Sequence, residues 1–389
     1  MCASRLLAPV AALALALFPA SALASAPPTW QAASISAPTG SYGAALDGVA
    51  CGPAGCLAVG SQTNSSFFQE GYGTASTTGG RSWLPAALPT TGGSFQGLDL
   101  AGASCQGSRC VAVGTQRYSS NAILQYQGGS WLPVAAPQPS TFQNGLSGVS
   151  CSPAACVAVG SDMSTATYQG VFQVLRSTGG AWSMVAGLPD PGADNLLQGV
   201  SCSGSTCVAV GYAAQPTGQT ANVVLVSDTA GATWTQESVP QPGVSNNWLS
   251  GVSCGSPTSC VAVGYATDPG GINLAEALVT TDGGAHWTAA SVPHPGAATN
   301  GETLQGVSCV GAQCVAVGQY ASQNWTEQNE VLVSTNGGYT WTLQSAPQPA
   351  GAYADQMLTA VTCSAAGCVA VGQVSGWSGQ QPEVLYGIG

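Results

Sequence analysis

Fourteen cysteines arranged in seven pairs recur from residue 51 to residue 368. Four residues separate the two cysteines in six of the pairs and five in the remaining one, and successive pairs begin 46 to 55 residues apart. A period in this range is typical of chains built from copies of one structural unit. The pairs are Cys51 and Cys56, Cys105 and Cys110, Cys151 and Cys156, Cys202 and Cys207, Cys254 and Cys260, Cys309 and Cys314, and Cys363 and Cys368.

The residues around each pair predict two short strands joined by a turn. A Leu-x-Gly-Val-Ser-Cys run leads into the pair, as at 197–202, and Cys-Val-Ala-Val-Gly leads out of it, as at 207–211. Valine-rich runs bounded by Gly, Ser and Pro are typical of strands. A third run such as 331–334, a Gly-Gly turn and a fourth run opened by Trp complete each copy. Four antiparallel strands repeated seven times predict an all-β fold, the seven-bladed β-propeller.

The two ends of the chain supply parts of one repeat. The last copy stops after its third strand, at 384–387, whereas Trp30 lies in the register of a fourth strand that has no first three. We therefore expect the N-terminal strand to complete the last blade. Closing the ring in this way removes the exposed strand edge that an open array would present.

Residues 1–24 have the pattern of a secretory signal peptide. Arg5 precedes an apolar run at 6–18, and small residues follow at 22–24. We expect cleavage near Ala24 and a single propeller domain over 25–389, in a protein that is secreted or displayed at the cell surface. No later apolar run is long enough to predict a membrane span, and we expect a monomer.

Charged residues make up only 5% of the chain, and none is a lysine. After the predicted cleavage, four arginines oppose sixteen Asp and Glu residues, which gives a formal charge of −12 (4 − 16). Nucleic acids and anionic lipids require clustered cations, so neither is an expected partner. So few ionisable groups also predict a small change in charge repulsion with pH, which would suit an acidic exterior.

The turns between third and fourth strands share a motif. Residues 280–287 read Thr-Thr-Asp-Gly-Gly-Ala-His-Trp, and 334–341 keep the pattern with Asn336 in place of Asp. This resembles the Asp-box, or bacterial neuraminidase repeat, Ser/Thr-x-Asp-x-Gly-x-x-Trp. The resemblance implies a propeller of the sialidase-like superfamily, which includes sialidases, other glycoside hydrolases, photosystem II assembly factors and exported propellers of uncharacterised function. The paired cysteines look most like the last group.

We interpret the cysteine pairs as structural disulfides across the turn between first and second strands, where the two residues face each other within bridging range. An even number of cysteines in an exported protein favours this interpretation. Zinc and redox sites are the alternatives, but both use Cys-x-x-Cys spacing, and seven equivalent pairs around a ring do not resemble an active site. We predict no metal site and no cofactor.

The four remaining arginines argue against a sialidase. The resemblance implies three arginines that grip a substrate carboxylate, together with a tyrosine nucleophile, on the face that carries the loops between blades. Arg81, Arg109 and Arg176 are instead expected on the face of the cysteine turns, and only Arg117 on the loop side.

A glycoside hydrolase that uses a pair of carboxylates on the loop side stays open, because such an enzyme needs only two acids flanking the scissile bond. Glu276, Glu330 and Glu383 recur at one register, which predicts a repeated structural role rather than catalysis. His286 and His294 are expected to be surface residues. No residue is predicted to be catalytic.

Three tryptophans lie outside the repeat register and predict a ligand platform. We expect them on the loop side of three consecutive blades, where aromatic rings beside hydrogen-bond acceptors suit an uncharged sugar or a peptide. The alternative is that long loops bury these rings against themselves. The leading prediction is a non-catalytic binding or scaffold module for a protein or a neutral glycan. The candidate site residues are Trp248, Trp325, Trp377, Tyr353, Asp268, Glu302, Glu327 and Asp355.

Overall fold

A computed structural model describes residues 29–89, 97–117, 119–127, 129–140, 142–295, 301–348, 355–376 and 379–388. The predicted signal peptide, residues 1–24, lies outside these ranges. Within them, no helix is long and apolar enough to cross a membrane.

In this part of the chain, 28 strands form seven four-stranded antiparallel sheets, which confirms the predicted seven-bladed propeller. We number the blades by their order in the chain, and in each blade the first strand lies innermost. Blade 1 contains β2 Gly43–Gly52, β3 Gly55–Thr63, β4 Gln69–Ser76 and β5 Leu84–Pro85. Blade 2 contains β6 Asp99–Gln106, β7 Arg109–Gln116, β8 Ser120–Gln127 and β9 Ser130–Val134. Blade 3 contains β10 Asn144–Cys151, β11 Cys156–Met163, β12 Gly170–Ser177 and β13 Ser183–Met184.

The remaining blades repeat the arrangement. Blade 4 contains β14 Asp194–Ser203, β15 Thr206–Ala214, β16 Thr220–Ser227 and β17 Thr235–Glu237. Blade 5 contains β18 Asn247–Cys254, β19 Cys260–Thr267, β20 Asn273–Thr280 and β21 Thr288–Ala289. Blade 6 contains β22 Glu302–Val310, β23 Gln313–Ala321, β24 Glu327–Ser334 and β25 Thr342–Leu343. Blade 7 contains β26 Asp355–Ser364, β27 Gly367–Gly376 and β28 Gly379–Ile388, and its outer strand is β1 Thr29–Ala32.

The ring closes as the ends of the sequence predicted. β1 pairs antiparallel with β28, with Trp30 opposite Gly387, so the first strand of the chain completes the last blade. The inner strands β2 and β26 also pack against each other, which joins blade 1 to blade 7 around the axis.

A glycine on each inner strand, or an alanine in blade 7, lets neighbouring blades approach closely at the axis. In blade 5 the pairing shifts at a β-bulge between Leu249 and Gly251. A Cβ atom on Gly251 would lie 2.8 Å from the carbonyl oxygen of Gln305 in blade 6, inside any normal contact distance. The glycine of the Leu-x-Gly-Val-Ser-Cys run is therefore required by the close approach of the next inner strand.

The core lies between the blades. The buried hydrophobic residues that the structure describes form seven clusters, each shared by two adjacent blades. In blade 4, Val208 and Val210 pack against blade 5, whereas Cys207 and Ala209 pack against blade 3. The Cys-Val-Ala-Val-Gly run is thus apolar throughout because both faces of its strand are buried.

A serine hydrogen bond joins each of several blades to the next. The Oγ of Ser201 in blade 4 accepts a hydrogen bond of 2.9 Å from the backbone N–H of Cys254 in blade 5. Four further serines at this register make the same contact, which accounts for the serine of the Val-Ser-Cys run. They are Ser104, Ser150, Ser253 and Ser308.

All seven predicted cysteine pairs form disulfides across the turn between first and second strands, and each bridge closes the turn within its own blade. The paired Cα atoms lie 4.0 to 4.1 Å apart, opposite each other in the strand register. The bonded pairs are Cys51 with Cys56, Cys105 with Cys110, Cys151 with Cys156, Cys202 with Cys207, Cys254 with Cys260, Cys309 with Cys314, and Cys363 with Cys368.

The second cysteine of a pair starts or nearly starts the second strand, and its side chain faces the core between blades. It is buried in five blades and partly exposed in the other two, so most of the bridges are closed to solvent on one side. The buried residues are Cys56, Cys110, Cys207, Cys260 and Cys314, and the partly exposed ones are Cys156 and Cys368.

Tryptophan side chains form hydrogen bonds to the turns that lead to the fourth strands. In blade 5 the Nε1 of Trp287 donates to the carbonyl of Gly284 at 2.8 Å, and the Oγ1 of Thr280 accepts from the N–H of Gly284. The indoles of Trp83 and Trp234 donate to their turns in the same way. We expected Trp to open each fourth strand. In five blades it instead precedes a strand of only two or three residues. In blades 1, 4 and 5, the hydrogen bonds described above hold the indole against the turn.

Candidate ligand-binding face

The antiparallel order sorts the connections into two faces. Turns between strands one and two and between strands three and four share one side, which we call the cysteine face. Loops between strands two and three, and the linkers between blades, share the other side, which we call the loop face.

The arginines are distributed as the sequence predicted. Arg109 starts the second strand of blade 2, Arg81 lies in a turn between strands three and four, and Arg176 donates from Nε to the carbonyl of Ala230. All three lie towards the cysteine face, and Arg117 alone among the described arginines lies on the loop face. The described arginines therefore do not form, on the loop face, a group of three that could bind a carboxylate.

A cavity of about 220 Å³ opens on the loop face between blades 3 and 4. It lies at the ends of the inner strands farthest from the disulfides. Polar and apolar atoms make up about equal shares of its wall, and Tyr212 forms an aromatic part of it. The lining residues that carry the argument are Gln143, Asn144, Ser161, Asp194, Asn195 and Tyr212.

Tyr212 belongs to an aromatic stack that runs from this cavity into blade 5. The rings of Tyr212 and Trp248 have centroids 3.8 Å apart, and those of Trp248 and Tyr265 are 6.0 Å apart with nearly parallel planes. All three rings are half-buried. Trp248 was expected in a loop, but it is the second residue of β18, directly opposite Tyr265 on β19. We call Tyr212, Trp248 and Tyr265 the aromatic stack.

The polar groups around the cavity are held in place by the backbone. The Oδ1 of Asp194 accepts from the N–H of Gly170 at 2.7 Å, and the Nδ2 of Asn144 donates to the carbonyl of Ser140. Burial, together with the charges of Asp194 and Tyr265, raises the pKa of Tyr212, so its hydroxyl stays protonated. The cavity therefore presents fixed hydrogen-bond donors and acceptors beside one aromatic ring.

Two of the predicted acids are brought together at the junction of blades 6 and 7. The backbone N–H of Glu327 donates to Oδ1 of Asp355 at 3.1 Å. Burial and the charge of Asp355 raise the pKa of Glu327. These residues start β24 and β26, respectively, on the loop face.

The other predicted acids have local structural contacts. Asp268 accepts through Oδ1 from the N–H groups of Gly270 and Ile272, which caps the loop that follows β19. Glu302 is only 2% exposed, and its Oε2 lies 3.0 Å from Nδ1 of His294. His294, expected only at the surface, therefore pairs with a buried carboxyl group.

Trp325 lies at the tip of a loop in blade 6 with 73% of its surface exposed. It makes no ring contact with Trp248 among the described residues. Trp377 and Tyr353 lie outside the described residues. The two predicted aromatic residues that the structure describes therefore lie apart: Trp248 on an inner strand and Trp325 at the tip of a loop.

Three glutamates at one register, Glu276, Glu330 and Glu383, are buried in blades 5, 6 and 7. The Nδ2 of Asn222 in blade 4 donates to Glu276 at 2.8 Å, and the Nδ2 of Asn329 in blade 6 donates to Glu383 at 2.9 Å. Burial, only partly opposed by these hydrogen bonds, raises the pKa of Glu276 to about 8 and that of Glu383 to about 7. Glu276 and Glu383 thus connect neighbouring blades through these hydrogen bonds, and Glu276 is chiefly protonated at neutral pH.

Glu276 also lines a second cavity of about 220 Å³, on the flank of blade 5, with Asp268 and His294 in the same wall. Acid–base chemistry on glycosidic bonds requires a protonated carboxyl group and a second carboxyl group that converge on the scissile bond.

A pair of acids that the sequence pattern did not single out lies where blades 1 and 2 meet. Asp47 occupies the bulge of β2, between Leu46 and Gly48. Burial and the charge of Asp99 raise its pKa to about 7. Asp47 was missed because the residue at the bulge varies from copy to copy, and only the β-bulge itself sets it apart from the rest of its strand.

A second feature missed from the sequence is a ring of loop positions with left-handed backbone. In six blades, the loop between the second and third strands contains a residue with φ between 53° and 83°. This residue lies five positions before the third-strand residue that pairs with the glycine of the Cys-Val-Ala-Val-Gly run. Glycine fills this position in two blades, but bulky residues fill it in the others, at about 1–2 kcal/mol of conformational strain each. The bulky residues are Phe67, Arg117, Tyr168 and Trp325. Aligning the loops of the repeats would have revealed them, since this one position holds glycine in some blades and a large side chain in others.

No group of three or more potential metal ligands forms within the described residues.

A search with protein-family models and a search of curated proteins each found no match. Among solved structures, the fold is similar to a GH74 xyloglucanase from Xanthomonas campestris, with a TM-score of 0.56, 15% identity and coverage of 89% of this chain and 53% of that one. It is also similar to a chain of a mitotic checkpoint complex, with a TM-score of 0.53, 10% identity and coverage of 98% of both chains. A sialidase from Trypanosoma rangeli matches at a TM-score of 0.45 and 9% identity, covering 89% of this chain and 54% of that one.

This chain spans about half the length of the xyloglucanase that it matches. At these identities, the similarity shows the propeller fold alone.

Proposed function

We propose that this protein is a non-catalytic binding module whose loop face takes a neutral glycan or a protein segment. The observation that carries the proposal is the loop-face cavity bordered by the aromatic stack. A cavity of about 220 Å³ is below the usual range for whole small-molecule ligands, roughly 300–1,000 Å³. It matches one sugar ring or one side chain of a longer ligand.

The chemistry of the cavity favours an uncharged ligand. Its wall offers amide and hydroxyl groups with one carboxylate, Asp194, and no cation. Tyr212 supplies a flat apolar surface against which the C–H face of a sugar ring can pack while the hydroxyl groups reach the amides. An anionic ligand would meet uncompensated negative charge, because the full chain has a net charge of −11.

Isothermal titration with neutral oligosaccharides and with peptides tests the proposal. The wild-type protein should bind at least one of them, and Tyr212→Ala should weaken that binding roughly 10- to 100-fold, which is the effect of removing a central aromatic contact. Leu132→Ala, an exposed residue on the outer strand β9, should have no effect. Binding that Tyr212→Ala leaves unchanged would place the ligand elsewhere.

A glycoside hydrolase is the second candidate, favoured by Glu276 and Asp268 in one cavity. Glu276, whose pKa is raised to about 8, would serve as the acid, and Asp268 would be the second carboxyl group of the pair. This candidate predicts release of reducing sugar from a neutral glycan by the wild-type protein and loss of that release in Glu276→Gln. Binding of a glycan without any hydrolysis rejects it.

We further propose that the protein is secreted after removal of residues 1–24 and acts at the cell exterior. Seven disulfides fit an extracellular protein. The turn at 280–287, with Asp282 accepting from the N–H of His286, supports membership of the Asp-box propellers of the sialidase-like superfamily. N-terminal sequencing of the exported protein tests the cleavage site.

A further inference from the structure

The strained loop tips carry exposed aromatic rings. Phe67, Tyr168 and Trp325 have φ of 62°, 56° and 62°, and between 67% and 73% of each residue is exposed. The left-handed region strongly disfavours bulky side chains, and Gly218 and Gly271 fill the same position in blades 4 and 5 without strain. Neither burial nor backbone geometry explains the aromatic residues.

Two of the three rings are supported by a neighbour from the preceding linker. Tyr42 stacks on Phe67 with centroids 4.7 Å apart and an interplanar angle of 10°, and Phe142 meets Tyr168 edge-on at 5.6 Å. Tyr42 and Phe142 are themselves about half exposed. We call Tyr42, Phe67, Phe142, Tyr168 and Trp325 the aromatic rim.

Hydrogen bonds within the loops fix the backbone at these tips. The N–H of Phe67 bonds to the carbonyl of Asn64, and the N–H of Trp325 to that of Ser322, which closes a tight turn at each tip. The Oδ1 of Asn64 also accepts from the N–H groups of Ser66 and Phe68. A loop tip held in this way loses little backbone freedom when a ligand packs against its ring.

From this geometry we infer that the aromatic rim is a binding surface for a neutral polysaccharide chain. The rim residues lie on blades 1, 3 and 6, with at least one blade between any two of these blades, so one small ligand cannot contact all of them. A polymer of sugar rings presents an apolar face repeatedly along its length and can reach several tips.

The residues around the tips favour a polysaccharide over a lipid surface. Ser65 and Ser66 precede Phe67, which Phe68 follows. Thr167 and Gln169 flank Tyr168, and Gln323 and Asn324 precede Trp325, so polar side chains that suit sugar hydroxyls lie beside each ring. Loops that enter membranes combine continuous apolar patches with Lys and Arg. Arg117 is the one arginine that the structure describes on the loop face, and the chain has no lysine.

This inference rests on the proposed binding function but concerns the rim rather than the cavity, so different variants test the two. The experiment is native gel electrophoresis through gels that contain xyloglucan, mannan, dextran or soluble starch. The acidic protein migrates towards the anode, and binding to an immobile neutral polymer slows it. The wild-type protein should be slowed by at least one polymer, which gives its Kd.

The triple variant Phe67→Gly, Tyr168→Gly, Trp325→Gly should raise that Kd at least 10-fold. Its melting temperature should be no lower than that of the wild type, because glycine accepts the left-handed backbone. The pair Phe67→Tyr and Tyr168→Phe keeps the rings and should keep the binding. Leu84→Ser with Leu132→Ser, which removes exposed apolar side chains from outer strands, should also keep it.

Three results would overturn the inference. The first is that none of the four polymers slows the wild type. The second is that the triple variant binds normally while Tyr212→Ala loses binding, which would keep the proposed function and move the ligand to the cavity alone. The third is that the wild type sediments with phosphatidylcholine vesicles in a rim-dependent manner but ignores the polymers.

Discussion

Single residues at the blade junctions explain why the repeat has the sequence that it has. The Ser of each Val-Ser-Cys run bonds to the backbone of the next blade, and the preceding glycine makes room for that blade at the axis. Both residues act across a junction rather than within a strand. A repeat protein depends on such nearest-neighbour contacts, because a single blade cannot bury its own faces.

Replacing Ser201 by alanine should lower the free energy of unfolding by about 1 kcal/mol, because the N–H of Cys254 would lose its partner at a partly buried junction. The measurement is the midpoint of guanidinium denaturation. Ser65→Ala, in an exposed loop, is the control and should leave the midpoint unchanged. Equal midpoints for both variants would show that the hydrogen bond of Ser201 does not contribute to stability.

Replacing Gly251 by alanine should be more damaging, by about 3 kcal/mol or more, since the new Cβ would lie 2.8 Å from the carbonyl oxygen of Gln305. Thermal unfolding measures the effect. Gly179→Ala serves as the control because a Cβ there meets nothing within 4 Å. A Gly251→Ala protein as stable as the wild type would mean that the inner strands do not pack this closely.

Whole elements were predictable from the sequence to the extent that they repeat. The strands around Cys202 and Cys207 follow a pattern that recurs in every blade, so the sheet and its register could be inferred. The aromatic stack could not, because Trp248 was placed in a loop and its partner Tyr212 comes from another blade. Contacts between copies that differ from the repeat carry no periodic signal.

The loop contacts of the candidate site could not be predicted from the sequence either. The strained position of Tyr168 depends on backbone geometry that no single copy reveals, and the burial of Glu302 depends on the packing around it. Asp268 was expected as a ligand contact, and in the structure it caps its own loop. Composition and spacing therefore predicted the face on which these residues lie but not their contacts.

The disulfides act on one element each, the turn between first and second strands. Replacing Cys202 and Cys207 together by alanine should lower the free energy of unfolding by about 2 kcal/mol, which is the loop-closure entropy expected for so short a loop. Denaturation under non-reducing conditions measures this, with the other six bridges kept as the internal reference. Titration of free thiols in the unfolded wild type should find none in the seven pairs, and finding most of them free would contradict the bridges.

The pH dependence of stability is a property of the whole ring, because buried acids occur in several blades. The pKa of Asp47 is raised to about 7, that of Glu276 to about 8 and that of Glu383 to about 7, in each case chiefly by burial. The folded protein therefore binds protons more tightly than the unfolded chain. Stability is greatest below about pH 4, where both states are protonated, and falls as the pH rises towards 8.

The melting temperature should accordingly be higher at pH 4.5 than at pH 8.5, by an amount that corresponds to a few kcal/mol in total. The double variant Glu276→Gln, Glu383→Gln keeps the acceptors for Asn222 and Asn329 but cannot ionise, so it should reduce the difference. Asp228→Asn, at an exposed site, should leave it unchanged. A protein that melts at a lower temperature at pH 4.5 would contradict this account and the acid tolerance expected from its low charge.

At the same scale, the two faces of the ring differ: the disulfides and the tryptophan-held turns lie on the cysteine face, and the aromatic stack and the aromatic rim lie on the loop face. Hydrogen–deuterium exchange with and without a saturating neutral glycan tests this division most directly. Protection should increase in the loops around Phe67, Tyr168 and Trp325 and at the ends of the inner strands beside Tyr212. Protection confined to the cysteine turns would contradict it.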